Sequence, residues 1–280
     1  MTTPDTLAAA LDRSRAFFRD RETRAGIVAR RVLRIPRPAD AELTDHLLRE
    51  RRRRSTMDGS IGHSLVETAR AAWEMLELGA PADNAGVVRM IGYLLKQQDA
   101  PGRWSEDGMA GDGFFSPAPP GETIAPLVLP SRTRFDDEDD ARFVASCLAL
   151  RTVLRAGHDR RASVRTHVER LLALRVLDPH LAFVAVGALG MAGPDYRNRL
   201  EPLLAVVRET QRDDGSWPEV TVFHAVDLLS SVPLADARAC LKRAAPFIVS
   251  QQTPAGAFDA TASEDIALIA VRVLDTVQGM

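Results

Sequence analysis

Three short segments of this chain share one form. Gln98-Asp-Ala-Pro-Gly102-Arg-Trp104, Gln211-Arg-Asp-Asp-Gly215-Ser-Trp217 and Gln252-Thr-Pro-Ala-Gly256-Ala-Phe258 all read Gln-x-x-x-Gly-x-aromatic. A degenerate copy, Asp58-Gly59-Ser60-Ile61, stands ahead of them. Roughly forty residues separate Gly59 from Gly102 and Gly215 from Gly256, the length of one helix–turn–helix unit. The residue types suit such a unit. A glutamine amide both donates and accepts, so it can bond the free backbone groups at a helix end. The glycine permits positive φ where the chain reverses. The aromatic ring plugs the gap between neighbouring units. The doubled glutamines, Gln97-Gln98 and Gln251-Gln252, leave the register open by one residue.

The rest of the chain carries helical periodicity. It predicts helices over 6–21, 24–34, 40–54, 62–79, 83–98, 138–156, 160–175, 179–192, 195–211, 219–231, 235–251 and 262–277. Within 62–79, Leu65, Ala69, Ala72, Met75 and Leu76 recur near a 3.6-residue period and Gly79 follows as a stop. No pair of segments reads as a hairpin. The 280 residues, 45% of them hydrophobic, suffice to bury a large core. With a net charge of −2, no basic field points to nucleic acid. Cys147 and Cys240 lie in no metal spacing and read as buried thiols. The N-terminus lacks the basic and apolar regions of a secretory signal, and the apolar run 181–193 is too short for a bilayer. A cytoplasmic protein with no transmembrane segment is expected.

Gln-x-x-x-Gly-x-Trp repeats between paired helices resemble those of the terpene cyclase and protein prenyltransferase β-subunit superfamily, over roughly residues 40–280. The resemblance implies an all-α fold, a single-domain (α/α)6 toroid in which inner helices ring a cavity. Twelve predicted helices pair into six, which suits it. Residues 56–280 would form the toroid, and the helices of 1–55 would pack on it or close it. Residues 99–135 are not helical and hold five prolines between 117 and 130. They are also apolar at Phe114, Phe115, Ile124, Leu127, Val128 and Leu129, so a flap across one mouth is expected.

Five acids, Asp136 to Asp140, precede the apolar helix that starts near 138. Acids favour the first turn of a helix, so capping and solvation account for such a run, with Arg132, Arg134 and Arg142 as counter-charges. A second reading comes from Asp137-Glu138-Asp139-Asp140, which resembles the Asp-x-Asp-Asp motif of class II terpene cyclases. By that resemblance Asp139 is the proton donor, with Asp137 and Asp140 beside it. Protonating an alkene or epoxide needs a carboxyl that is neutral when substrate binds, and crowded carboxylates raise one another's pKa. A helix N-terminus then stabilises the anion left behind. The family commonly pairs the acid with a polar donor; His63, His180 and His224, each near a predicted inner-helix head, are candidates. Arg142 stands where the family often has an alanine.

Cation cascades favour aromatic walls. Phe135, Phe143, Phe183, Phe223, Trp104 and Trp217 are the candidates, although each also fits the core. Arg132, Arg134 and Arg142 could hold a substrate head group. The stretch Arg49 to Arg54 also fits a diphosphate or acidic group, or simply a solvated helix end. No cofactor is required, and Mg2+ would enter only with a diphosphate substrate. The implied partner is an isoprenoid small molecule, and nothing points to a protein partner. Two other readings stay open. One is a zinc prenyltransferase β-like subunit with Asp178, His180 and His224 as ligands. The other is a non-enzymatic repeat protein binding a lipid or peptide.

Overall fold

Every second helix of this chain starts on a polar side chain that caps it. The computed structural model describes residues 4–98, 115, 122–174 and 178–280. It contains α1 (Pro4–Phe18), α2 (Arg24–Val32), α3 (Asp40–Arg54), α4 (Leu65–Glu77), α5 (Ala85–Gln98), α6 (Glu138–Arg155), α7 (Ala162–Ala173), α8 (Pro179–Leu189), α9 (Glu201–Glu209), α10 (Val222–Leu229), α11 (Ala235–Ser250) and α12 (Glu264–Gln278). A short ribbon pairs β1 (Leu127–Val128) antiparallel to β2 (Arg134–Phe135). The all-α class expected from periodicity therefore holds. All six even-numbered helices have a side-chain N-cap: Thr23, Ser64, Asp137, Asp178, Thr221 and Ser263. Each accepts a backbone N–H that the first turn would otherwise leave unbonded.

One helix differs from expectation. The segment 195–211 divides into a 3-10 helix over Pro194–Leu200 and α9. Pro202 explains the break: it has no N–H to donate one turn back, and its ring crowds the preceding turn. The first turn of a helix tolerates proline best, and α9 places Pro202 there, whereas α11 accommodates Pro246 in its interior.

The described chain forms two compact units. The first comprises Met1–Asp45, Leu129–Thr133 and Pro202–Met280. In it α12 packs between α10 and α2, with α1 and α11 against it. The second comprises His46–Val128 and Arg134–Glu201. In it α6 packs between α4 and α8, with α5 and α7 behind. These central helices are apolar on most sides. Every residue of α8 from Leu181 to Leu189 is buried, as a helix with neighbours all around requires.

The repeats act as their chemistry predicts. Gln211 Nε2 donates to the carbonyls of Gly215 and Cys240, both at 3.0 Å. The amide thus ties its own turn to α11. Gly215 has φ +87°, and a Cβ there would lie 2.1 Å from the Arg243 carbonyl oxygen, so only glycine fits. Trp217 is buried and donates its indole N–H to Val207 O at 2.9 Å. The third copy repeats this with α1 in place of α11. Gln252 Nε2 donates to Ala10 O at 3.0 Å and Ser14 Oγ at 3.1 Å, and Gly256 sits against the Arg13 carbonyl. The N-terminal helix therefore stands to the last repeat as α11 stands to the one before. In the second unit Gln98 Nε2 donates to Ser163 O at 2.8 Å. The register is settled: Gln98 and Gln252 make these bonds, while Gln251 is exposed. Gly102 and Trp104 lie outside the described residues.

Candidate active site

In the second unit, the heads of α6 and α8 lie side by side, and the five acids of 136–140 divide into separate tasks. Asp136 is exposed and pairs with Arg134 Nε at 2.6 Å. Asp137 is the N-cap of α6, its Oδ1 accepting the N–H groups of Asp139 (2.9 Å) and Asp140 (3.1 Å). Glu138 takes Arg142 Nε at 2.6 Å, one turn along the helix. Its carboxylate also accepts the backbone N–H groups of Ile124 (3.0 Å) and Ala125 (2.9 Å). Asp139 is exposed.

Asp140 is different in kind. It is half-buried, and its carboxyl is held above the usual carboxylate range. Burial is the main cause, followed by the carboxylates of Asp137, Asp178 and Asp139; His180 acts in the opposite direction. A carboxyl among carboxylates at the edge of an apolar helix keeps its proton more readily than one in water. Asp178 and His180 come from the head of α8. Asp178 caps that helix by accepting His180 N–H at 3.0 Å, and Pro179 occupies the first turn. Of the three histidines expected as acid partners, His180 is the one brought beside the acids.

His63 stands at the head of α4. It adopts φ +57°, and its Nδ1 lies 3.3 Å from Ser60 Oγ and 3.4 Å from Asp58 Oδ2. Hydrogen bonds from Thr56 and Ser60 hold Asp58 well below the usual carboxylate range, so it stays ionised beneath the ring. His63 borders a pocket of about 560 Å³ between the start of α4 and residues 122–128. That segment belongs to the expected flap, whose described part is residues 122–135 and Phe115, which is buried and donates its N–H to Ser146 Oγ at 3.0 Å. Residues 99–114 and 116–121 lie outside the described residues. His224 belongs to the first unit, buried, with Nδ1 3.3 Å from Ser131 Oγ.

The expected head-group arginines are each engaged by an acid. Arg132, at φ +63°, lies 3.8 Å from Asp259. Arg134 pairs with Asp136, and Arg142 with Glu138 and the Glu122 carbonyl. The expected wall aromatics Phe135, Phe143, Phe183 and Trp217 are buried. Phe223 is half-buried, 6.4 Å from the Phe258 ring. None of these five is among the residues lining the pocket beside His63. Among the described residues no group of three His, Cys, Asp or Glu side chains could hold a metal ion, so the Asp178, His180 and His224 zinc set gains no support. No described helix is long and apolar enough to cross a membrane. Sequence reasoning passed over Glu138, the unspecified position of Asp-x-Asp-Asp, and Arg70 beside the pocket. The spacing of Glu138 and Arg142 was the available signal for the first.

The same fold occurs in solved terpene cyclases. A variant of the type II terpene cyclase MstE from Scytonema, in complex with its substrate geranylgeranyl dihydroxybenzoate, matches with a TM-score of 0.61 and 13% identity, over 99% of this chain and 98% of that one. A second MstE variant, in complex with the product merosterolic acid A, gives 0.60 and 12% over the same shares. The ent-copalyl diphosphate synthase from Streptomyces platensis gives 0.52 and 17%, over 96% of this chain and 50% of that one. No protein-family model and no curated protein matches the chain. At these identities the likeness is one of fold: this chain has the terpene cyclase fold.

Proposed function

We propose that the chain is a class II terpene cyclase acting on a polyprenyl substrate, and that the Asp137/Asp139/Asp140 cluster supplies the initiating proton. The observation that carries this reading is the environment of Asp140, half-buried at the head of α6, where burial and the neighbouring carboxylates of Asp137, Asp178 and Asp139 raise the carboxyl's pKa beside His180. The acid proton passes to the terminal alkene or epoxide. With an alkene, a C–H bond forms, the π pair is consumed and a tertiary cation results. Later π bonds attack in turn and close rings, and water or a base takes a proton from the last cation. The carboxylate left on the protein is stabilised by the positive end of the α6 dipole, with His180 beside it. The net change is an isomerisation, and the proton returns from solvent.

The family motif points to Asp139, whereas burial and neighbouring carboxylates favour Asp140 as the group that holds a proton more readily than an ordinary carboxyl. The protons belong to a coupled set, so the two variants must be compared directly. Product formation from geranylgeranyl dihydroxybenzoate should be measured for Asp140→Asn and Asp139→Asn. Cyclisation undiminished in both would overturn the acid assignment.

A further inference from the structure

Resting on the cyclase reading, we infer that the pocket at the head of α4 receives the substrate's head group, and that this head group is a hydroxylated aromatic ring rather than a diphosphate. The pocket is a built one. Its far wall, residues 122–128, is held from three sides. Glu138 accepts the N–H groups of Ile124 and Ala125, Arg142 donates to the Glu122 carbonyl, and Arg70 Nη2 donates to Val128 O at 3.0 Å. Two of those three clamps rise from the first turns of α6, the helix whose head carries the acids. The pocket wall and the acid therefore share one helix head, and a polyprenyl chain whose head group sits in the pocket must fold back for its terminal alkene to meet the acid.

Charge decides what such a pocket accepts. Its cations are Arg70 and, when protonated, His63; its acids are Glu67 and Glu122. Arg70 is already paired with Glu67 at 3.1 Å, and ionised Asp58 lies behind His63. Among the described lining residues no positive excess remains for a diphosphate, which calls for several converging cations or a metal ion. The inventory instead suits a group that both donates and accepts hydrogen bonds and carries at most one charge. The His63 ring is 75% exposed and anchored through Nδ1, so its other nitrogen is open to a phenolic hydroxyl. Arg70 and Thr123 add donors. Val66, Ile124, Pro126 and Leu127 supply the apolar faces on which a ring and the first isoprene unit pack, and Val128 is 45% exposed at the rim. A volume of about 560 Å³ lies within the range of small-molecule sites.

The test is a calorimetric titration of the full chain carrying Asp140→Asn, with geranylgeranyl dihydroxybenzoate and geranylgeranyl diphosphate as the two probes. The aromatic probe should bind at least tenfold tighter. Val128→Trp, at an exposed position, should fill the pocket mouth and weaken the aromatic probe at least tenfold with the melting temperature kept. Glu122→Lys should raise the affinity for the diphosphate. Diphosphate binding tighter than the aromatic, aromatic binding indifferent to Val128→Trp, or neither probe bound would overturn the head-group assignment. In the first two cases the cyclase reading stands or falls separately, on turnover by the wild type. Aromatic binding as expected without cyclisation would overturn the cyclase reading and keep the pocket.

Discussion

Two helices in this protein start with nearly the same instruction. α6 begins Asp137-Glu138-Asp139-Asp140 and α12 begins Ser263-Glu264-Asp265, each a cap followed by acids. Their surroundings are opposite. In the first unit Glu264 receives Arg21 Nη1 at 3.2 Å and the Thr23 hydroxyl, and Asp265 receives Arg24. Those acids tie α12 to the head of α2. In the second unit Asp140 meets Asp137, Asp178 and Asp139, with His180 in opposition. One acidic helix head is a clamp between neighbouring helices, and the other holds a carboxyl above its ordinary pKa. The local sequence is alike; what differs is whether the adjacent helix head presents arginine or aspartate.

The sharpest way to break that comparison is to neutralise one acid from each head. Asp140→Asn should lower cyclisation by about a hundred- to ten-thousand-fold, the range of a lost general acid, while Asp139→Asn stays within about tenfold. Asp265→Asn should leave turnover unchanged. Steady-state product assays decide all three.

A next-largest effect separates acid sensitivity of the fold from that of the chemistry. His167, on α7, is buried completely against Phe115, and burial lowers its pKa from 6.5 to about 3. The folded state keeps this ring neutral while the unfolded chain takes up a proton below 6.5. Stability from this group is therefore full above 6.5 and lost as pH falls toward 3, by about 1.4 kcal/mol per pH unit. Denaturant titrations across that window should show the slope, and His167→Leu should flatten it. Activity should have the reverse dependence if the proposed acid holds. Asp140 is raised, so its acid form is lost as pH rises through the raised pKa.

That alkaline limb offers a subtler test. Asp178→Asn keeps a capping side chain but removes a carboxylate, so the limb should move to lower pH. His180→Gln removes the opposing cation, and the limb should move to higher pH. Shifts in the same direction for both would break the picture of α8 as the tuner of Asp140. The smallest effect belongs to the clamp. Arg24→Ala should cost about 1 kcal/mol or less in chemical denaturation and fade in high salt, as partly exposed ion pairs do.

Much of the scaffold was legible in the chain. The second and third Gln-x-x-x-Gly-x-aromatic copies state their own bonds, because a turn that needs glycine at φ near +88° and an amide for orphaned carbonyls tolerates few alternatives. Helix positions followed from periodicity and caps, and failed only where Pro202 interrupts the ladder. The site was legible in outline. The acid run was found, but not that Glu138 would hold the 122–125 backbone or that Arg142 would be its counter-charge.

The sequence by itself determined the all-α repeats, the capped helix heads and the presence of five consecutive acids, because those depend on bonds within a turn or two of the chain. Only the tertiary structure decided which of those acids differs. A pKa depends on burial and on charges brought from elsewhere, and Asp178 and His180 arrive beside Asp140 on a separate helix nearly forty residues away. For the same reason the pocket beside His63 appears only once residues 122–128 are laid against α4, with Arg70 bonded to Val128.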